Sequence, residues 1–535
     1  LFIEMFPFAA NVGPDDTFRS LGARCLAATM QFLRQALPGT STPSGAAASN
    51  SVLNYFPAAF GEFAGLPVEV EWVHPGHTDS VHSLRLQVHD FSGTGRYKLH
   101  FDYHDDLLPE PLRYRSLRHF EKLLSAVLDD PDRPIGDIDL LVEDERRALE
   151  GLNATDQQPL PDRTLVEMFQ DQAALEPDRT ALRQGQRELS FGSLLEQSES
   201  LAAALVQRGV EPGDRVAILS RRSIEAVLAI LAVLRIRAAF VPIDAHVPQR
   251  RLDHALEDSG ARVVLVGDLP EDGARPAGIE TMSIEEGVRA GDPASLARSG
   301  PQLDDLAYLM YTSGSTGQPK GVLIEHGGLA DYLGAASRRY VRGEFLTFPL
   351  FTSLGFDLTI TSLFLPLITG GLLDIYAEPD GPVDTALMDV VQADRADFIK
   401  LTPSHLSLLR RIGVEGSRLR RMVVGGENLT VDLAAAVSSQ LHDQVEIYNE
   451  YGPTEAVVGC VVHRFDPERD TEGSVPIGKP MDHVQIEVLN DSLSPVPAGV
   501  PGELWIRRHG LGRGYHGLDE LTEESFVPQA EGSGE

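Results

Sequence analysis

Two kinds of hydrophobic periodicity divide the chain into two sections. In the first section, Leu84, Leu86 and Val88 alternate with polar side chains, which predicts a half-buried strand. The alternation returns over residues 97–103, after a glycine-containing turn at 92–95, so the two stretches predict a β-hairpin. Apolar residues at helical spacing then predict a helix over 111–128. The stretch 129–163, rich in Asp, Pro, Arg and Glu, predicts a linker around a short helix.

From residue 164 onward, strand patterns and helix patterns alternate. Short apolar strands are predicted at 216–219, 239–243 and 263–266. Helices are predicted at 194–208, 223–234 and 248–258; Gly209 closes the first and Pro248 opens the last. This alternation predicts an α/β fold with a mostly parallel sheet.

Composition sets limits on size, partners and compartment. A chain of 535 residues exceeds the size at which single cores stop growing, so more than one domain is expected. The formal net charge of −33 argues against a nucleic-acid partner, because such partners require basic surfaces. Only two cysteines occur, Cys25 and Cys460, so we expect no disulfide framework and a reducing, cytoplasmic compartment. There is no apolar run of 18 residues and no signal peptide, so no membrane partner is expected, and both ends look cut from a longer protein.

A hydroxyl- and glycine-rich segment at residues 311–322 lies between two apolar, strand-like runs. Its hydroxyls and backbone N–H groups can surround phosphate oxygens, and Lys320 adds positive charge. The Walker A pattern does not fit, because Pro319 precedes the lysine and Gly321 follows it. A flexible linker does not fit either, because linkers seldom lie between strand-like runs. The segment predicts a phosphate-binding loop that contains Thr312, Ser313, Gly314, Ser315, Thr316, Gly317 and Lys320.

Three further segments carry side chains suited to a binding site. Asp357 lies in a largely apolar stretch, where an acid is expected to be buried and paired, and the alternative is a helix N-cap. Residues 423–427 predict a strand that enters a glycine turn. In the turn 449–455, Tyr451 can stack on a base and Glu455 can bind Mg²⁺, although this turn taken alone is only a surface loop.

Together these segments resemble the adenylation domains of nonribosomal peptide synthetases, within the AMP-forming ligases. The motifs occur in family order at 189–194 (LSFGSL), 238–244 (AAFVPID), 306–321, 356–357, 449–455 (NEYGPTE), 502–506 (GELWI) and 510–515 (GLGRGY). The likeness covers about residues 164–530. There are two departures: Arg237 stands where glycine is usual, and Arg507, Arg508 and His509 replace a glycine-rich piece. Neither departure is expected to touch the site.

The resemblance implies how the chain is divided. Residues 164–535 would form the N-terminal core of an adenylation domain, with mostly parallel sheets and helices and without its C-terminal subdomain, after a linker at 141–163. Residues 1–140 resemble the C-terminal end of a condensation domain, an α+β fragment, through positions such as Leu107-Leu108, His119-Phe120 and Asn153-Ala-Thr155. This fragment is expected to be inert because it lacks paired histidines. The spacing of His74, His77, His82 and His89 matches no common metal-ligand set, so a solvated strand edge is expected there.

The resemblance also implies the chemistry. An amino acid carboxylate would attack the α-phosphorus of ATP and give aminoacyl-AMP and pyrophosphate. Lys320, Thr312 and Glu455 would be the catalytic residues, and Glu455 would bind Mg²⁺. Gly426, Glu427, Asn449, Tyr451 and Thr454 would contact the nucleotide. A peptidyl carrier domain would be the protein partner.

Nine positions match the family's specificity residues: Asp357, Leu358, Thr361, Lys400, Val423, Gly425, Glu450, Val458 and Gly459. Asp357 would pair with the α-ammonium group of the substrate. Lys400 only donates hydrogen bonds and ionised Glu450 only accepts them, so a carboxamide fits both. An apolar side chain would leave both unpaired, and aspartate would face Glu450. Leu358 and Val423 narrow the pocket and favour L-Asn over L-Gln, while an ordinary surface ion pair is the alternative interpretation of Lys400 and Glu450.

Two rival functions remain open. The first is an acyl- or aryl-acid ligase, whose substrate would leave Asp357 buried without an ammonium partner. The second is a substrate-binding fragment without useful turnover. It agrees with the lack of a Thr-Gly-Asp segment after Tyr515 and of a terminal Asn-Gly-Lys, which supply the family's ribose-binding acid and catalytic lysine.

Overall fold

The computed structural model describes residues 10–35, 50–56, 60, 62–73, 82–91, 93–297, 299–313, 319–379, 385–441 and 445–528. The chain divides into two compact units, one of residues 1–151 with 487–505 and the other of residues 152–486 with 506–535. The domain boundaries expected at residues 140 and 163 stay a prediction. Within the described ranges, no helix combines the length and the apolar character needed to cross a membrane.

The first unit contains the predicted hairpin. Its elements in chain order are α1 (Phe18–Gln35), β1 (Ser51–Phe56), β2 (Glu62–Phe63), β3 (Leu66–Pro67), β4 (Leu84–His89), β5 (Lys98–Tyr103), α2 (Glu110–Asp129) and α3 (Glu143–Leu152). β4 pairs antiparallel with β5, which confirms the hairpin. β4 also pairs in parallel with β1, a strand that the sequence did not predict. The helix predicted at 111–128 is confirmed as α2, one residue longer at each end.

Two of the four histidines expected at a solvated strand edge are buried. His82 is 8% exposed and His89 is 2% exposed. The His89 ring stacks on Phe91, with ring centroids 3.9 Å apart, and on His100, with centroids 5.1 Å apart. The expectation of a solvated edge is therefore wrong for these two. At His89, neighbouring aromatic rings cover the end of the strand. His74 and His77 lie outside the described residues.

The second unit alternates strands and helices as the pattern predicts. Its strands are β6 (Thr180–Gln184), β7 (Arg187–Ser190), β8 (Arg215–Ser220), β9 (Ala239–Asp244), β10 (Val263–Val266), β11 (Thr281–Ser283), β12 (Leu306–Ser313), β13 (Pro319–Glu325), β14 (Thr347–Leu350), β15 (Leu372–Ile375), β16 (Phe398–Leu401), β17 (Arg421–Gly425), β18 (Glu446–Tyr451), β19 (Val461–Arg464) and β20 (Lys479–Pro480). β21 (Val484–Leu489) and β22 (Glu503–Arg508) form a two-stranded ladder, of which residues 487–489 and 503–505 belong to the first unit, and β23 (Gly514–Tyr515) follows in the second.

Helices connect most of these strands. They are α4 (Leu165–Leu175), α5 (Phe191–Gln207), α6 (Ile224–Arg235), α7 (Gln249–Ser259), α8 (Ile284–Ala290), α9 (His326–Ala336), α10 (Leu358–Thr369), α11 (Ala386–Ala393), α12 (Pro403–Ile412), α13 (Val431–Gln440) and α14 (Asp519–Ser525). The three predicted helices correspond to α5, α6 and α7. The first begins at Phe191, earlier than predicted, because the Ser190 side chain caps it by accepting from the Ser193 N–H. Gly209, with a φ of 76°, follows its end as predicted.

Three sheets organise this unit. The largest has the strand order β11-β10-β8-β9-β12-β13-β23, and the second has the order β14-β15-β6-β7. In the largest sheet the strands from β11 to β12 are parallel, whereas β13 and β23 are antiparallel additions. The predicted strands at 216–219, 239–243 and 263–266 are confirmed as β8, β9 and β10. The expected α/β class with mostly parallel sheets is also confirmed.

The third sheet, β16-β17-β18-β19-β20, positions the candidate site. Its first three strands are parallel, so their carboxyl ends meet at one edge, where ligands bind in folds of this type. Buried side chains of α12 and α13, including Leu406, Leu409 and Val437, join those of β16–β18 in one apolar core. This core fixes the strands that carry the functional side chains.

Candidate active site

Strands β16, β17 and β18 place four of the nine predicted specificity residues side by side. The strand register pairs Lys400 with Val423 and Gly425 with Glu450. The side chains of Lys400 and Glu450 form an ion pair, and each is only 2% exposed. The interpretation of these residues as an ordinary surface ion pair is therefore wrong.

Hydroxyl groups complete the surroundings of this ion pair. Lys400 Nζ donates to Thr361 Oγ1 at 2.8 Å and to Tyr332 OH at 3.1 Å. Glu450 Oε1 accepts from Tyr340 OH at 2.8 Å and from Tyr332 OH at 3.2 Å. With the ion pair included, the ammonium group has three partners and both carboxylate oxygens are bonded. Such pairing is what makes two buried charges tolerable. It also means that the pair is satisfied without a ligand, which the sequence did not predict.

No motif in the sequence pointed to Tyr332 or Tyr340 as site residues. Tyr332 lies in α9, and Tyr340 lies in the π-helical turn Ser337–Val341 that follows it. Burial raises the pKa of both phenols well above their ordinary value, so both stay protonated and donate hydrogen bonds. A tyrosine inside an apolar helix signals a hydroxyl in need of a partner. The identity of that partner, 118 residues further along the chain for Tyr332, depends on the fold.

Asp357 immediately precedes α10. It thus occupies the N-cap position, as the alternative expected, but its φ of −63° and ψ of −26° are helical and its side chain makes no capping hydrogen bond. Burial raises the pKa of the Asp357 carboxyl group, whereas the Thr454 hydroxyl and the charge of Lys400 lower it. Asp357 thus shares the electrostatic surroundings of the ion pair. Leu358 begins α10, and Val458 is 6% exposed.

The turn formed by residues 456–459 lies against Glu450. A Cβ atom added at Gly459 would lie 2.4 Å from Cδ of Glu450, so any larger residue at this position would have to displace the Glu450 side chain. Val457 and Val458 have φ values of 61° and 65°, in the left-handed region that β-branched residues rarely occupy. Backbone strain of this kind costs about 1–3 kcal/mol per residue and persists only where surrounding contacts enforce it.

The Arg508 guanidinium supplies such contacts. Its Nη1 atom lies within hydrogen-bond distance of three carbonyl oxygens, those of Ala456 at 2.6 Å, Val457 at 3.1 Å and Gly459 at 3.1 Å. The expectation that residues 507–509 do not touch the site is wrong for Arg508, because alternation along β22 turns Arg508 inward and leaves Arg507 exposed.

The second departure from the family pattern, Arg237, makes its side-chain contacts elsewhere. Its φ of 63° explains why glycine is usual at this position. Its guanidinium instead forms a two-pronged pair with Asp305, at 2.8 Å and 3.0 Å. These contacts agree with the expectation that Arg237 does not touch the site.

Lys320, Tyr515 and Glu455 form a second cluster on the predicted nucleotide side. Tyr515 OH donates to Glu455 Oε1 at 2.6 Å, and Lys320 Nζ lies 5.1 Å from the centroid of the Tyr515 ring. Burial raises the pKa of Tyr515 to about 12, so its hydroxyl keeps its proton. The β12–β13 register places Thr312 opposite Lys320. The predicted phosphate-binding residues Gly314, Ser315, Thr316 and Gly317, and the Ser313 side chain, lie outside the described part of the chain.

The other predicted nucleotide residues differ in how far their side chains are already engaged. Glu427 accepts hydrogen bonds from the N–H of Ser404 at 3.1 Å and from its hydroxyl at 2.6 Å. The amide nitrogen of Asn449 donates to the carbonyl oxygens of Val475 and Pro476, both at 3.0 Å, so Asn449 braces the neighbouring loop. Tyr451 ends β18 and is 39% exposed, which leaves its ring accessible, and Gly426 follows β17.

Glu455 suits the predicted Mg²⁺ ion. Its carboxylate is the kind of oxygen ligand that Mg²⁺ prefers. The hydrogen bond from Tyr515 goes to Oε1, so Oε2 is the oxygen that would bind the ion. Among the described residues, Asp244, His246 and Glu378 also bring ligand atoms within 4.8 Å of one another. Arg222 Nη1 lies 3.5 Å from Glu378 there, and its positive charge opposes a cation.

Comparisons with known proteins point to one family. A sequence model described as "AMP-binding enzyme" matches residues 169–516. The chain is 40% identical over 440 residues to a component of mycosubtilin synthase from Bacillus subtilis, a match that covers 82% of this chain and 17% of that protein. It is 39% identical over 410 residues to tyrocidine synthase 3 of Brevibacillus parabrevis, with 76% of this chain and 6% of that protein covered. The chain thus spans less than a fifth of either relative.

Solved structures of the nonribosomal peptide synthetase FmoA3 are similar in fold. One crystal structure has a TM-score of 0.82 and 25% identity, and the match covers 96% of this chain and 56% of that one. The AMPPNP-bound form has a TM-score of 0.81 and 25% identity, with 95% of this chain and 56% of that one covered.

Proposed function

The chain belongs to the AMP-binding enzyme family, as an adenylation domain of the type found in nonribosomal peptide synthetases, and we propose that this domain activates L-asparagine. In the proposed reaction the asparagine carboxylate attacks the α-phosphorus of ATP, asparaginyl-AMP forms, and pyrophosphate leaves. The observation that carries the proposal is the buried pair of Lys400 and Glu450, beside Asp357, whose carboxylate would bind the α-ammonium group.

The remaining bonding capacity of the pair favours a substrate with an N–H donor. An ionised carboxylate offers about four acceptor sites. Three sites of Glu450 are used, by Lys400, Tyr332 and Tyr340. A carboxamide NH₂ can occupy the fourth site, while its oxygen replaces one of the neutral hydroxyls that now accept from Lys400. Aspartate has no donor and would meet Glu450 as a like charge, which costs several kcal/mol.

An apolar side chain is rejected less strongly than the sequence implied. Because hydroxyl groups already satisfy the ion pair, an apolar substrate would leave it intact and would gain no hydrogen bond from it. The preference for asparagine therefore rests on the contacts that the carboxamide gains. Glutamine would place the same group one methylene further into a pocket that Leu358 and Val423 narrow.

The nucleotide would lie toward Lys320 and Glu455. Lys320, with Thr312 and the loop 313–317, would hold the phosphates, and Gly426, Glu427 and Tyr451 would frame the adenine, with Thr454 and Asn449 beside them. Glu455 would hold Mg²⁺, and the ion supplies charge that neutralises the phosphates. Catalysis then depends on positioning and charge stabilisation, because Asp357 fixes the substrate's α-ammonium group and thereby its carboxylate.

The wider setting is part of the same proposal. We place residues 1–140 at the end of a condensation domain and residues 141–163 in a linker, with the adenylation core from residue 164. A downstream peptidyl carrier domain would receive the activated amino acid, in a cytoplasmic compartment. The similarity to the two synthases from Bacillus and Brevibacillus supports this setting.

Amino-acid-dependent ATP–pyrophosphate exchange across the twenty amino acids tests the proposal. We expect exchange to peak with L-Asn. Binding of sulfamoyl analogues of the aminoacyl adenylates, measured by calorimetry, gives a readout that needs no turnover, and the asparaginyl analogue should bind most tightly. A peak with aspartate or an aliphatic residue would overturn the carboxamide assignment, and a preference for an aryl acid would overturn amino acid activation. Absence of both exchange and binding would overturn the enzyme assignment.

A further inference from the structure

Arg508 is a fully buried arginine beside the proposed amino acid pocket. It ends β22, and its side chain is 0% exposed, whereas Arg507 is exposed and donates only to Gln485, at 3.3 Å, among the described residues. A buried guanidinium is tolerated only with enough hydrogen-bond partners. Three of these partners are the carbonyl oxygens of Ala456, Val457 and Gly459, so one side chain holds three positions of the strained turn 456–459.

A chain of polar groups holds Arg508 from the other side. Arg508 Nη2 lies 3.4 Å from Asp331 Oδ2, and Asp331 Oδ1 lies 2.5 Å from His483 Nδ1. His483 Nε2 in turn lies 2.6 Å from the carbonyl oxygen of Gln158. Both ring nitrogens of His483 face acceptors. Burial lowers the pKa of His483, but the bonds to the Gln158 carbonyl and to Asp331 outweigh it and raise the pKa above its ordinary value. Asp331 therefore keeps the imidazole as a hydrogen-bond partner when Arg508 is replaced by a neutral residue.

The turn and Tyr332 both connect Arg508 to the pocket. Gly459 packs so closely on Glu450 that a Cβ atom would lie 2.4 Å from Cδ of Glu450. The guanidinium carbon of Arg508 also lies 5.8 Å from the Tyr332 ring centroid, and Lys400 Nζ lies 5.5 Å from the same centroid. A displacement of Arg508 would therefore affect both the Glu450 carboxylate and the Tyr332 phenol, which bonds to the ion pair.

We infer that Arg508 is a positioning residue for the amino acid pocket: it holds the turn 456–459 so that Gly459 keeps the Glu450 carboxylate in place to bind the substrate's carboxamide. This inference rests on the proposed function. Arg508 does not touch the substrate itself; it acts through the turn.

Three variants of the chain test this role: Arg508→Gln, Arg508→Lys and, as the matched control, the neighbouring exposed Arg507→Gln. Calorimetry measures the Kd of asparaginyl-sulfamoyl adenosine and, separately, that of AMPPNP, which has no amino acid part. For Arg508→Gln we expect the Kd of the asparaginyl analogue to rise about 10- to 100-fold, because small displacements of a binding group have effects of this size. The Kd of AMPPNP should change little. Arg508→Lys, which keeps the charge and three N–H donors, should recover part of the affinity, and Arg507→Gln should match the unsubstituted chain.

Hydrogen exchange of the turn amides provides a readout that does not depend on any ligand. The amides of residues 456–459 should exchange faster in Arg508→Gln than in Arg507→Gln. The inference is overturned if the two variants bind the asparaginyl analogue equally, or if both Kd values rise together, which would mean a general loss of structure. Failure of the unsubstituted chain to bind any aminoacyl analogue overturns the proposed function together with the pocket role. In that case, the hydrogen-exchange rates of the amides of residues 456–459 still show whether Arg508 holds the turn.

Discussion

The buried ion pair of Lys400 and Glu450 allows a quantitative prediction about stability. We consider Lys400→Met, Glu450→Gln and the double variant. Lys400→Met leaves the Glu450 carboxylate buried with only the two tyrosine hydroxyls, and Glu450→Gln turns an amide group toward an unpaired ammonium ion. Breaking a buried pair in this way costs about 3–5 kcal/mol, because an uncompensated charge remains.

The double variant should be less destabilised than the sum of the single variants. It removes both charges at once, so the hydroxyls of Thr361, Tyr332 and Tyr340 can pair with neutral groups. Residues in one hydrogen-bonded network show interaction energies of about 0.5–3 kcal/mol. Since both side chains are 2% exposed, we expect a coupling near the upper end of that range.

Native-state hydrogen exchange of the β16 and β18 amides measures the free energy of unfolding of this sheet directly. This choice avoids the assumption of a single transition in a chain with two compact units. The matched control is Arg289→Gln, which removes an exposed ion pair. In that pair the Arg289 side chain is 73% exposed and the Glu285 side chain is 66% exposed. That control should cost at most about 0.5 kcal/mol. The reasoning would be refuted if each single variant lowered the free energy of unfolding by less than about 1 kcal/mol. It would also be refuted if the effect of the double variant equalled the sum of the two single effects.

Three further predictions concern the pocket. Glu450→His removes the negative charge that opposes aspartate, so ATP–pyrophosphate exchange should shift from L-Asn toward L-Asp; an unchanged preference would contradict the role of Glu450. Gly459→Ala places a methyl group 2.4 Å from Cδ of Glu450 and should weaken binding of the asparaginyl analogue at least about tenfold, whereas Gly300→Ala, which meets no atom within 4 Å, should not. Burial raises the pKa of Asp357, so its ionised form, which binds the α-ammonium group, is lost at a higher pH than for an exposed aspartate. Calorimetry between about pH 7 and about pH 4.5 should show affinity falling as the pH falls, and the Asp357→Asn variant should show a weak, flat profile.

The sequence alone determined the local elements and the set of candidate residues. Alternating and helical periodicity located β4, β5, α2 and the β8–β10 region, because each pattern depends only on which side chains face a core. The apolar runs around residues 311–322 predicted what became the β12–β13 hairpin. Positions 400, 423, 425 and 450 were chosen from motifs and proved to be neighbours, since parallel strands bring their carboxyl ends to one edge.

Only the tertiary structure decided how those residues are paired. The hydroxyls of Tyr332 and Tyr340 reach Glu450 across 118 and 110 residues of sequence, and Arg508 reaches the turn 456–459 across about fifty residues, distances at which no local pattern carries information. Whether Arg507 or Arg508 points inward depended on the register of β22, since a shift of one residue exchanges the two faces of a strand. The sequence therefore identified the charged residues of the pocket, and the fold determined which groups pair with them. The reason is that hydrogen bonds between buried groups depend on positions in space, which a linear pattern does not contain.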